Sequence, residues 1–210
     1  GGDSFNAICD SEESALTNAV NQANAAGISL LAASGNEGYC DSIAWPACIG
    51  NVISVGAVYD NSFSSISFCV EPDSCVAQAD SSYGCSPAFY CRNSGAIAGD
   101  VTCYSNSAVI LDVLAPSTNA YTTDISGSGG YSSGDYTSTF GGTSAACPYA
   151  AGAVAVIQSR AMAVYGRFMS PAEVRAIMKE TGTGIVDKKS GITVPLVNLG
   201  AALDSIYVCL

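Results

Sequence analysis

Three short stretches, "ISLLAASG" (28–35), "NVISVGAV" (51–58) and "AVILDVLAP" (108–116), are largely apolar and lack the alternation of a half-buried strand. A strand with one wet face alternates apolar and polar residues, whereas a continuous apolar run reads as a strand covered on both faces, as in a parallel sheet. Parallel strands need crossovers, and the intervening segments supply helices. In "CDSEESALTNAVNQANAAG" (9–27), Leu16, Ala19, Val20 and Ala23 fall at helical spacing, with Asp10 or Ser11 to cap the start and Gly27 the end. A second, wholly apolar helix is expected within "FGGTSAACPYAAGAVAVIQS" (140–159). A third is expected in "SPAEVRAIMKE" (170–180), where Ser170 caps, Pro171 opens the first turn and Glu173 completes a capping box. "VPLVNLGAALDSI" (194–206) reads as a strand entering a last helix near Asn198. Alternation of helices with apolar strands predicts an α/β fold with a mostly parallel sheet. No internal repeat or flexible linker divides residues 1–210, so they read as one domain or most of one.

Residues 59–104 have a different texture, rich in Ser, Cys, Asp and Tyr and without long periodicity, and read as a disulfide-tied surface insertion. Ten cysteines in 210 residues exceed what a reducing compartment usually holds, so an oxidising, secreted setting is expected. Zinc is the competing use. Against it stand the absence of histidine, the lack of any Cys-x-x-Cys pair and irregular gaps. Local pairs Cys40–Cys48, Cys69–Cys75 and Cys85–Cys91 are expected, with Cys147 a buried free thiol and Cys9, Cys103 and Cys209 left over. The formal charge of -11 disfavours nucleic acid and anionic membranes as partners. No apolar run approaches the ~20 residues that span a bilayer, and "GGDSFNAICD" has no signal-peptide core.

Ser144 lies between Gly141–Gly142 and the apolar helix. A serine hydroxyl is a weak nucleophile unless a base stands beside it and donors await the oxyanion. The first turn of a helix offers free amides and a favourable dipole for such an anion. The plainer alternative is that Thr143 or Ser144 only caps the helix.

"GGTSAACPYAAG" (141–152) closely resembles the nucleophile motif of the subtilisin-like serine peptidases, Gly-Thr-Ser-x-Ala-x-Pro-x-x-x-Gly, with Ser144 in the nucleophile's place. "LLAASGNEG" resembles the same family's oxyanion stretch, whose asparagine corresponds to Asn36. "AWPACIGNVISVGAV" is similar to its Tyr-Pro-Ala turn and following strand, and "ILDVLAPS" to its Leu-Asp-x-x-Ala-Pro-Gly, with Ser117 replacing the glycine. The resemblance covers most of 1–58 and 103–206. It implies a three-layer fold, helices on both faces of a largely parallel sheet, and hydrolysis of polypeptide substrates through an acyl-enzyme on Ser144. The Ser144 amide and the Asn36 side chain would hold the oxyanion, with the Thr143 hydroxyl as helper.

The family's general base is a histidine, and this sequence contains none. "GGDSFN" resembles the stretch just after the family's Gly-Gly edge strand, downstream of the catalytic aspartate and histidine, so residues 1–210 correspond to the family's C-terminal half. None of Asp3, Asp10, Asp41, Asp60 or Asp112 stands in the aspartate motif. Three explanations are open: an N-terminal fragment separated by proteolytic processing, an N-terminal half outside the 210 residues, or a non-catalytic module. The resemblance further implies a primary specificity pocket walled by Gly1, Gly2, Ala33, Ser34 and Gly35, with Ala44 at its floor and Glu37 at its rim. A small floor residue favours bulky apolar or aromatic side chains, with basic ones tolerated. No cofactor is expected for catalysis. A structural calcium is implied at the positions of Gly50, Val52 and Asp112; the alternative is that Asp112 pairs locally.

Overall fold

The three apolar runs lie side by side in one sheet. A computed structural model describes residues 2–207. In chain order the first half contains β1 (Ser4–Phe5), α1 (Ser14–Ala25), β2 (Leu30–Ala33), β3 (Ile43–Ala44), β4 (Val52–Val58), β5 (Phe63–Cys69), β6 (Gln78–Ala79) and β7 (Phe89–Ala96). Then come β8 (Val113–Pro116), β9 (Ala120–Thr123), β10 (Tyr136–Phe140), α2 (Thr143–Tyr165), α3 (Pro171–Thr181), β11 (Thr183–Val186), β12 (Thr193–Leu196) and α4 (Leu199–Ser205).

The main sheet runs in the order β11-β12-β8-β4-β2. β2, β4, β8 and β12 are parallel, and β11 joins antiparallel as a hairpin with β12. Every residue of β4 is buried. Its side chains divide by parity: Ile53, Val55 and Ala57 enter a core with Ala146, Ala150, Val154 and Ile157 of α2, while Val52 and Val58 enter a second core with Val20 of α1 and Leu114. Two cores on opposite faces of a mostly parallel sheet make a three-layer α/β fold, as expected. β2 is the edge strand, and its four residues are only half-buried.

Helix termini follow local chemistry. Ser170 and Glu173 form the expected capping box, and Asn198 caps α4. α1 starts later than expected, with Glu13 as its cap, because the Asp10 carboxylate instead accepts the Gly50 N–H at 2.8 Å.

The insertion is more ordered than its composition suggested. β5, β7 and β6 form an antiparallel sheet, and its inner side joins the core through Cys91, Val70 and the edge-on contact of Phe68 with Tyr104 at 4.6 Å. This order overturns all three expected local disulfides. The bridges are Cys9–Cys48, Cys40–Cys75, Cys69–Cys85 and Cys91–Cys103. The β1–β3 pairing brings Cys48 to Cys9 instead of Cys40. Cys91 points into the core, where Cys103 sits, and not toward Cys85. Among the described residues Cys147 is unbridged, as expected, but half-buried; burial pushes its thiol pKa up. Cys209 lies outside the described residues. No described helix is long and apolar enough to cross a membrane.

Candidate active site

Gly142 is the N-cap of α2, at φ 78° and ψ 172°, and the helix has no side-chain cap. The capping role considered for Thr143 and Ser144 is therefore not what their hydroxyls do. Thr143, buried in the first turn, directs both its N–H (2.8 Å) and its hydroxyl (2.9 Å) onto the Asn36 Oδ1, and its Oγ1 accepts the Gly35 N–H at 3.3 Å. With the Asn36 oxygen so occupied, its Nδ2 is the end left to donate. A Cβ on Gly142 would approach the Asn36 carboxamide to 3.2 Å in a backbone region that side chains avoid, so glycine is required there.

Ser144 follows Thr143 and is exposed, as is Asn36. The Ser144 N–H has no hydrogen-bond acceptor among the described residues, as expected of a first-turn amide. The fold thus brings Ser144, Thr143 and Asn36 together, two side chains facing solvent and one fastening them. The bend before the helix has its own support. Ser117 donates to the Gly142 carbonyl at 2.7 Å and lies 2.7 Å from the Tyr104 hydroxyl; burial raises the Tyr104 pKa. Nothing in the sequence pattern marks Ser117, which replaces the family's glycine, as a residue that holds the turn before Ser144.

Of the expected pocket residues, Gly1 lies outside the described residues. The others converge. Gly2 donates to the Trp45 carbonyl at 3.1 Å, and Ala44 donates to the Ser34 carbonyl at 2.8 Å. A Cβ on Gly35 would lie 3.0 Å from that of Ala44, which is buried. Ala33 ends β2 directly before them. Glu37 is turned inward, its carboxylate accepting from Asn106 Nδ2 at 2.6 Å. Asn36 borders one cleft, and Ala145, the residue after Ser144, borders a second. One is lined by Asn36, Glu37, Val70, Glu71 and Pro87, so the insertion forms part of its wall. The other is lined by Ala120, Tyr121, Phe140, Pro148 and Tyr149.

The sequence model of the subtilase family matches residues 2–198. The chain belongs to the subtilase family. It is 32% identical over 180 residues to subtilisin DY of Bacillus licheniformis, an alignment covering 84% of this chain and 47% of that protein. It is 28% identical over 190 residues to an extracellular protease of Xanthomonas campestris pv. campestris, covering 85% of this chain and 26% of that one. The subtilase chain thus spans less than half the length of these curated relatives. Among solved structures it resembles the patellamide maturation protease PatA, with a TM-score of 0.66 at 20% identity, covering 98% of this chain and 60% of that one. The prenylagaramide maturation protease PagA is similar, with a TM-score of 0.65 at 19% identity, covering 98% and 60%. These two likenesses speak to the fold.

The donor atoms of this subtilase chain decide whether the calcium position can hold a cation. Arg175 of α3 donates to the Gly50 carbonyl (2.6 Å), the Val52 carbonyl (2.6 Å) and the Asp112 carboxylate (2.6 and 3.0 Å). Lys179 takes the other Asp112 oxygen at 2.9 Å. A divalent cation needs several open oxygens. Here each aligned oxygen already faces a positively charged side chain, so this arrangement does not fit a metal ion.

Proposed function

We propose that this chain carries the nucleophile and oxyanion donors of a secreted serine endopeptidase, and that polypeptide outside residues 1–210 supplies the general-base histidine and its aspartate. The observation that carries the reading is the exposed Ser144 in the first turn of α2, beside an Asn36 carboxamide held by its oxygen with its nitrogen free. In the reaction, Ser144 Oγ attacks the substrate carbonyl carbon and its proton passes to the imidazole. The carbonyl oxygen becomes an oxyanion between the Ser144 N–H and Asn36 Nδ2. The leaving amine then departs with the proton, and water releases the acyl group by the same route. Thr143 holds Asn36 and does not itself reach for the oxyanion.

The histidine-bearing part has a place to sit. α2 is apolar nearly all round, the mark of a helix buried on every side. Yet Pro148, Ala151, Gly152, Ala155, Val156 and Met162 are exposed on it. Ser144 lies on the same stripe, four residues before Pro148 and eight before Gly152. The apolar edge strand β2 is likewise unpaired on one side among the described residues, a liability that further chain would cover. We read both surfaces as the seat of the N-terminal part of the same peptidase, whether continuous or processed into a separate fragment. The four disulfides suit a secreted protein. Substrates are polypeptides, with bulky apolar side chains favoured in the pocket of Gly1, Gly2, Ala33, Ser34, Gly35 and Ala44. With the calcium position filled by Arg175, we assign that position no metal.

The absence of histidine from the 210 residues favours one other reading, a non-catalytic binding module. Labelling with a fluorophosphonate, together with intact mass before and after reduction, separates the two. Labelling of the wild type and its loss in Ser144→Ala supports the peptidase. An unlabelled protein with no accompanying fragment supports the module.

A further inference from the structure

This inference rests on Asn36 being the oxyanion donor. Asn36 sits in the loop Ser34–Tyr39, between the end of β2 and the Cys40 disulfide. One fully buried residue, Asn106, uses all four of its hydrogen-bonding groups on that loop. Its N–H donates to the Gly35 carbonyl at 3.0 Å. Its carbonyl accepts from the Ser34 hydroxyl at 3.1 Å. Its side-chain oxygen accepts the Tyr39 N–H at 3.0 Å, and its side-chain nitrogen donates to Glu37 at 2.6 Å. The contacts fall on residues 34 and 35 before Asn36 and on 37 and 39 after it.

The chemistry requires asparagine. A short side chain must accept from a backbone N–H and donate to a carboxylate at once, with its own backbone free for two further bonds. Aspartate would set a second negative oxygen against Glu37, and leucine would leave a buried N–H and a carboxylate without partners. Gly35 completes the fit. At φ +105° it holds no side chain, and a Cβ there would collide with Asn106 Nδ2 and Glu37 Oε2.

Asn106 is itself anchored. Ser107 donates its N–H to the Tyr39 carbonyl at 2.9 Å and its hydroxyl to Asp187 at 2.5 Å, and it accepts from Lys189 at 2.8 Å. Asp187 and Lys189 form a buried ion pair in the β11–β12 turn. Cys103, three residues earlier, is bridged to Cys91. The loop that carries Asn36 is thus fastened, through Asn106 and Ser107, to the turn at the opposite edge of the sheet.

We propose that Asn106 is a positioning residue: it holds the loop on both sides of Asn36, while Thr143 holds the carboxamide oxygen directly, and so it sets the rate of the acylation step without touching substrate. Displacing a reacting group by about 1 Å costs on the order of 10²-fold. Complete loss of an oxyanion donor costs about 10²–10³-fold, a figure that comes from subtilisin itself.

The test uses the complete enzyme and a peptidyl p-nitroanilide, with folded sites counted by fluorophosphonate titration. In Asn106→Asp, kcat per titrated site should fall by about 10–100-fold with KM little changed. In the Asn36→Ala background, Asn106→Asp should cost nothing further in kcat, since the group it positions is gone. Adding Glu37→Gln to Asn106→Asp restores a donor–acceptor pair with the roles exchanged and should recover most of the loss. Full kcat in Asn106→Asp, or an equal loss with and without Asn36, overturns the positioning role while leaving the peptidase intact. A wild-type enzyme that neither turns over nor labels removes the oxyanion reading and this proposal with it.

Discussion

Replacing Arg175 by leucine tests whether its side chain stands where the resemblance implies a calcium ion. The guanidinium satisfies two backbone carbonyls and a carboxylate whose side chain is only 4% exposed. Its removal leaves Asp112 with Lys179 and Ser54 as partners, and leaves the Gly50 and Val52 carbonyls without the Arg175 donors. Breaking a buried pair on one side costs about 3–5 kcal/mol. Arg175 is 30% exposed and Lys179 remains on the carboxylate, so the lower end applies, about 3 kcal/mol. For a chain of this size each kcal/mol moves the melting temperature by about 2–4 °C, so Arg175→Leu should melt roughly 6–12 °C lower. Arg175→Lys keeps the charge but not the fork that reaches three acceptors, and should fall between. Circular dichroism melts with millimolar calcium or chelator supply the second reading. Calcium should raise the variant's melting point more than the wild type's, because hard oxygens have been uncovered. A leucine variant melting within about 2 °C of the wild type would refute the reasoning.

Two further outcomes are expected. Peptide mapping without reduction should recover Cys9–Cys48, Cys40–Cys75, Cys69–Cys85 and Cys91–Cys103; recovery of a Cys69–Cys75 or Cys85–Cys91 peptide contradicts the insertion's strand pairing. The Arg167 guanidinium, with the capping-box amide, holds the Glu173 carboxyl at about 2. A depressed carboxyl contributes stability above its unfolded pKa, near 4.3, and loses it as pH falls through the folded value. The Glu173 side chain is 39% exposed and so screened, and Glu173→Gln should cost under about 1 kcal/mol at pH 7, with the two urea midpoints converging as the pH approaches 2.

What the sequence carried and what it hid divide along local and non-local lines. Continuous apolar runs marked β2, β4 and β8 because burial on both faces leaves that trace wherever it occurs. Ser170, Pro171, Glu173 and Asn198 marked their helix starts because capping is settled within four residues. The antiparallel sheet of 63–96 escaped notice because β5, "FSSISFC", mixes its faces, half packed on the core and half wet. Disulfide partners escaped with it, since register decides which thiols meet. Ser144, Thr143 and Asn36 were legible through motif resemblance. Asn106, Ser117 and Arg175 were not, because each acts across 25 to 125 residues of chain on partners that leave no local pattern.

Among the described residues the four bridges all lie between Cys9 and Cys103, and α2 carries none. The two sides of the site are therefore secured by different means: the Asn36 loop by covalent staples at residue 40 and beside Asn106, the first turn of α2 by hydrogen bonds from Ser117 and to Asn36 and by apolar contacts. Thiol reductants attack only the staples. Reducing surroundings would loosen the loop of residues 34–40 directly, and would reach α2 only through the core that it shares with Cys91 and Cys103.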